Sequence, residues 1–219
     1  MTGESSIQDR TIVVAGAGGA AGRAVCASLT EAGAHVIAVG SRAESLTEVD
    51  AAETAVVDLA DPVAVSGWAA ELRARRPSID GVVHLVGGWR SGSDLDDFDW
   101  LERRVLTTLR VLSRELRDDL SASTAGRLAI VSSASVAAPR WGMANYVTLK
   151  SAVEAWTQAL ATGWRVKGTP TAAVTFVAGA LEEGDTIAQL AAACIGLWEL
   201  GHEQLNGAVV HLAPGNALT

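Results

Sequence analysis

Short runs of β-branched and other apolar residues alternate along the chain with longer, alanine-rich stretches of helical period. The short runs cover residues 11–15, 35–39, 54–58, 81–86, 127–132, 171–177 and 208–212. Most are nearly all apolar. A strand without a polar face is buried on both sides, as in a parallel sheet covered by helices. Between the runs, apolar positions recur at helical spacing over residues 20–32, 62–76, 98–120, 144–162 and 186–200, and a shorter helical turn follows Arg42. The alternation continues from end to end with no linker, repeat or low-complexity tract. It predicts an α/β fold: a single doubly wound domain over residues 1–219, with a parallel sheet of about seven strands and helices on both faces. Residues 1–10 are polar and are expected to form a flexible N-terminus. The acidic segment 94–99 reads as a solvated loop and helix start.

Composition narrows the function classes. A hydrophobic fraction of 49% supplies a sizeable core for 219 residues, and a charged fraction of 19% excludes wholesale disorder. The formal charge of −8 disfavours nucleic acid as a partner, because phosphate binding needs a basic face. No apolar run reaches the roughly 18 residues of a membrane span, and residues 1–10 contain nothing like a signal peptide. Cys26 and Cys194 are too few for a disulfide scaffold, and His35, His84, His202 and His211 are scattered without metal-ligand spacing. The expectation is a cytoplasmic protein without a metal site and with a small-molecule partner.

The chemistry begins after the first strand, in Gly16-Ala17-Gly18-Gly19-Ala20-Ala21-Gly22-Arg23. Gly16 permits a tight turn, and small residues at Gly18, Gly19, Ala20 and Ala21 let a pyrophosphate approach the backbone at a helix N-terminus. A carboxylate at the end of the second strand would select NAD by bonding the ribose 2′-OH. Gly40-Ser41-Arg42 stands there instead, and a guanidinium with a hydroxyl beside it suits a 2′-phosphate. NADP(H) is therefore expected over NAD(H).

The chain's one tyrosine, Tyr146, lies four residues before Lys150. On a helix these positions share a face, and an ammonium beside a phenol lowers its pKa and suits it to proton transfer at a carbonyl or alcohol oxygen. The apolar run 127–132 ends in hydroxyls, with Ser133 at the strand end where it can bond the same substrate oxygen. Trp89, in Gly87-Gly88-Trp89, and Trp141, between Ser133 and Tyr146, fall where an apolar substrate pocket would form.

Together, the glycine turn, Asp58 after the third strand, and Ser133, Tyr146 and Lys150 resemble the short-chain dehydrogenase/reductase family over nearly the whole chain. The resemblance implies a Rossmann fold and reversible, NADP(H)-dependent carbonyl or imine reduction of a small or aromatic substrate. It makes Tyr146 the general acid/base, gives Lys150 the roles of lowering the Tyr146 pKa and binding the nicotinamide ribose, and has Ser133 orient the carbonyl. Asp58 and Leu59 would meet the adenine, Val86, Gly87 and Gly179 would line the cofactor, and the protein would assemble as a homodimer or homotetramer. The sequence departs from the family at several points. Ala20 replaces the middle glycine, and His84-Leu85-Val86-Gly87 stands where the family has Asn-Asn-Ala-Gly. Val105 replaces the helix asparagine, Ala178-Gly179 replaces Pro-Gly, and residues 180–185 are too few for the usual two-helix lid. His84 is expected in the core or beside the ribose. Gly87-Gly88-Trp89 also resembles dihydropteridine reductases, so a quinonoid pterin reductase is one alternative. A non-catalytic nucleotide sensor on the same fold is another.

Overall fold

The computed structural model describes residues 6–179 and 185–212. The strands are β1 (Thr11–Ala15), β2 (His35–Gly40), β3 (Glu53–Val56), β4 (Gly81–His84), β5 (Arg127–Ser133), β6 (Ala172–Ala178) and β7 (Val209–His211). They form one sheet in the order β3-β2-β1-β4-β5-β6-β7, and every pairing is parallel. The helices are α1 (Ala20–Glu31), α2 (Pro62–Arg75), α3 (Leu95–Glu102), α4 (Thr108–Glu115), α5 (Arg117–Ala122), α6 (Ala144–Lys167), α7 (Asp185–Gly196) and the single turn α8 (His202–Leu205).

Because successive strand side chains point to opposite faces, each strand feeds two cores. Ile12 and Val14 of β1 join Val174 and Phe176 of β6 under Val25 and Leu29 of α1 and Leu190 and Cys194 of α7. Val13 of β1 joins Ile37 and Ile130 on the other face, under Trp68 and Leu72 of α2, Leu109 and Leu112 of α4, and Leu149 and Trp164 of α6. Helix starts and stops follow local chemistry. The Asp61 carboxylate accepts from the Val63 and Ala64 amides at 2.8 and 3.3 Å ahead of Pro62, which caps α2. Gly168, at φ +66°, closes α6 in the left-handed conformation.

The structure draws the element boundaries differently from the sequence reading. The helix expected over 98–120 begins at Leu95 and is interrupted. A π-turn occupies Arg103–Thr107 between α3 and α4, and α4 gives way to α5 at Leu116. Its apolar stripe, Leu101, Val105, Leu109, Leu112 and Leu116, packs into the second core on the sheet. Strand β3 ends at Val56 and β4 at His84, which frees Asp58, Leu85 and Val86 to enter loops. The N-terminal segment is fastened from Ser6 onward: Ile7 packs on the first core, and the Asp9 amide donates to the Gly33 carbonyl at 2.9 Å. Residues 1–5 and most of the stretch too short for a lid, residues 180–184, lie outside the described residues.

Candidate active site

The chain runs outward from β1 through β2 to β3 and then crosses back to place β4 on the other side of β1, so the strand order reverses there and a crevice opens at the strands' C-terminal ends. A cleft of about 520 Å³ occupies it. Of the residues expected to hold a cofactor, Gly16, Gly18, Gly19, Ser41, Arg42, Asp58, Leu59, Val86 and Gly87 line this one cleft. Ala20 and Ala21 begin α1 beside it. Gly179 is exposed after β6 and, like Ser133, Tyr146 and Lys150, is not among the lining residues.

The floor is built for close approach. Gly16 sits at φ +84°, and a Cβ there would stand 2.8 Å from the Leu85 and Val86 backbone. Gly19 occupies the N-cap of α1 without a side-chain cap, and the first turn carries no acidic residue. The first amides of α1 therefore remain open to an anion, with the positive end of the helix dipole behind them. This turn, the cleft volume and Arg42 fit a dinucleotide with its pyrophosphate on α1.

Strand β5 and helix α6 bring the three expected catalytic side chains together. Ser133 is the last residue of β5, and its hydroxyl lies close enough to the Tyr146 phenol to act on its pKa. Lys150, one turn beyond Tyr146, places Nζ 5.7 Å from the phenol ring centre and donates to the Val131 carbonyl at 2.8 Å. Burial pushes the Tyr146 phenol above its ordinary value, and the Ser133 hydroxyl pulls it part of the way back. The expected lowering by Lys150 is therefore not what dominates; desolvation is. Burial also brings Lys150 down to about 8, while Glu154 a turn further on opposes that shift. Glu154 in turn accepts from the Ser132 hydroxyl at 2.5 Å.

His84 is a core residue, as expected. Its Nε2 lies 3.0 Å from the Thr108 hydroxyl, which donates to the Arg104 carbonyl at 2.6 Å across the π-turn. Giving each hydrogen one acceptor makes Nε2–H the donor to Thr108. Burial, with the Lys150 charge adding to it, holds this imidazole down at about 3, so it is neutral. Val105 is buried in the same π-turn.

Trp89 and Trp141 are 60% and 80% exposed and lie outside the cleft lining. Their loops are stitched together, because the Gly92 amide donates to Gly142 at 2.8 Å and Asn145 Nδ2 donates to the Asp94 carbonyl at 2.7 Å. The Trp89 loop is fixed further by Trp100, whose ring centre lies 4.1 and 4.8 Å from the guanidiniums of Arg90 and Arg104. Arg103, Arg104 and Thr108 also line the cleft, and sequence reasoning missed them. The two arginines read as solvated helix charges, and no local pattern announces a π-turn. Glu154, at helical spacing from Lys150, was findable.

The short chain dehydrogenase family model matches residues 10–185. The chain belongs to the short-chain dehydrogenase/reductase family. It is 27% identical over 166 residues to 2,3-dihydro-2,3-dihydroxybenzoate dehydrogenase of Bacillus subtilis, a match covering 70% of this chain and 64% of that protein. A 30% match over 173 residues to 3β-hydroxysteroid dehydrogenase of Mediterraneibacter gnavus covers 73% of this chain and 62% of that one. The matched region thus spans less than two thirds of either relative. Among solved structures, a short chain dehydrogenase from Salmonella enterica serovar Typhi superposes with a TM-score of 0.85 at 22% identity, over 98% of this chain and 100% of that one. A gluconate 5-dehydrogenase from Burkholderia cenocepacia, in complex with NADP and tartrate, gives 0.82 at 22% identity, over 96% and 97%. Both likenesses establish the fold.

Proposed function

We propose that this short-chain dehydrogenase/reductase is an NADP(H)-dependent oxidoreductase that interconverts a carbonyl and a secondary alcohol on a small cyclic or aromatic substrate. The observation that carries the reading is the meeting of Ser133, Tyr146 and Lys150 at the ends of β5 and α6. The nicotinamide, when bound, supplies or accepts the hydride. Tyr146 supplies the proton to the carbonyl oxygen in reduction, and its raised pKa keeps the phenol protonated at neutral pH. Ser133 donates a hydrogen bond to the same oxygen. Lys150, still largely charged below its lowered pKa of about 8, places a positive charge beside the phenol and favours the phenolate left behind.

NADP(H) preference rests on Ser41 and Arg42 at the cleft wall, with no carboxylate at the end of β2. The two relatives are named for a dihydroxylated ring and a hydroxysteroid, and exposed Trp89 and Trp141 suit a flat or bulky ring. Assembly as a homodimer or homotetramer belongs to the same proposal, and a light-scattering mass well above 22.6 kDa checks it. The decisive experiment is Tyr146→Phe, assayed with NADPH on a panel of cyclic ketones, aromatic ketones and quinones. The rate should fall about 100-fold or more, the range for loss of a general acid. An undiminished rate would remove Tyr146 from the chemistry.

A further inference from the structure

Lys150 is 7% exposed, and its ammonium carries protons that need acceptors. Among the described residues it has one hydrogen-bond acceptor, the Val131 carbonyl at 2.8 Å. A single neutral carbonyl is weak support for a charge in a low-dielectric interior. Glu154 stands four residues further along α6, on the same face.

The strand beneath holds that carboxylate in place. Glu154 Oε1 accepts from the Ser132 hydroxyl at 2.5 Å, and Ser132 is 2% exposed. Consecutive residues at the end of β5 therefore engage the two side chains of α6: the Val131 carbonyl takes Lys150, and the Ser132 hydroxyl takes Glu154. Glu154 is only half-buried. Without the Ser132 bond its carboxylate could turn to water, where its charge would be screened from Lys150.

The other charged groups on the elements packed against α6 are committed elsewhere. On α3, Asp97 pairs with Arg90, Glu102 accepts from the Thr107 hydroxyl, and Asp96 and Asp99 are exposed. On the π-turn, Arg103 pairs with Asp58, and Arg104 donates to the Gly87 carbonyl. Arg110 of α4 lies over Trp156, and Arg127 sits at the opposite end of β5, bonded to backbone carbonyls. Strand β6 has no ionisable side chain, and His84 of β4 is neutral. Among the described residues, Glu154 is thus the carboxylate left to face Lys150, and it does favour the charged ammonium.

We propose that Glu154 is a positioning residue of this active site, supplying the counter-charge to the buried Lys150 ammonium beside Tyr146, and that Ser132 acts through it by fixing its carboxylate. The inference rests on the proposed roles of Tyr146 and Lys150.

The test needs neither cofactor nor substrate for its first readout. The chain has two lysines, Lys150 and the exposed Lys167 at the end of α6. The full-length protein labelled with carbon-13 at lysine Cε therefore shows two lysine side-chain titrations by NMR, and Lys167 is the internal standard. Glu154→Gln keeps an acceptor for Ser132 and removes the charge. It should lower the Lys150 midpoint by about one pH unit or more, with Lys167 unmoved. Ser132→Ala keeps every charge and should move Lys150 the same way by less. The second readout is carbonyl reduction on a working ketone. Its alkaline limb should shift down in parallel in Glu154→Gln, with the loss largest near pH 8, where Lys150 titrates, and smallest in acid. A Lys150 midpoint unmoved in Glu154→Gln overturns the proposal, as does one that moves only together with Lys167. No shift in Ser132→Ala overturns it on its own, even if Glu154→Gln fails to fold. A midpoint that falls while the reduction profile stays in place would instead sink the catalytic reading of Lys150, leaving its pairing with Glu154 intact.

Discussion

Charges are buried or exposed at the two ends of the same sheet in opposite ways. At the N-terminal ends, Asp80 and Arg127 are 5% and 3% exposed. The Asp80 carboxylate accepts from the Thr11 amide, the Ser78 and Ser123 hydroxyls and Arg10, while Arg127 donates to the carbonyls of Gly126, Pro170, Leu197 and Leu200. At the C-terminal ends, Asp58 and Arg103 pair in the open, and the buried Lys150 donates to one backbone carbonyl. One end uses polar groups to close the structure; the other holds them ready for something else. Saturation marks the structural end. Spare donors and acceptors mark the chemical one.

The contrast breaks most visibly at Asp80. Asp80→Ala would strand the partners of a buried carboxylate and should cost about 3 kcal/mol of stability or more, read from urea unfolding, with cofactor affinity of the folded fraction unchanged. Tyr146→Phe should do the reverse. Its roughly 100-fold loss of rate should come with little change in melting temperature, because the ring packing survives. If instead it unfolded the protein, the two ends would not be separable.

Next in size is the response to pH. Burial lowers Lys150 in the folded protein from 10.5 to about 8. The unfolded chain therefore binds more protons between those values, and folding stability should rise as pH climbs through that window. Carbonyl reduction should move the other way, falling as pH passes about 8 and the ammonium is lost. A rate that stays flat through pH 9 would show that Lys150 does not act on Tyr146. The smallest expected effect sharpens the comparison at the cleft wall. Arg42→Ala should weaken NADPH about 10-fold and NADH hardly at all, with stability changed by less than about 0.5 kcal/mol. Equal losses for both cofactors would make Arg42 part of the fold.

Much of the architecture was legible in the sequence because it is repetitive. Apolar strands alternate with helices, and that order alone requires a parallel sheet with two cores. The glycine turn, Ser41-Arg42 and the Tyr146–Lys150 spacing were legible for a related reason: each is a local pattern whose chemistry depends on residues close in the chain. Tertiary structure decided the rest. The π-turn that brings Arg103, Arg104 and Thr108 to the cleft joins residues scattered over β4, the β3 loop and two helices. No local signal encodes that meeting. The direction of the Tyr146 pKa was likewise hidden, since the spacing shows a nearby charge but not how much water is excluded around the phenol. Burial is a sum over distant segments, and only the folded chain performs it.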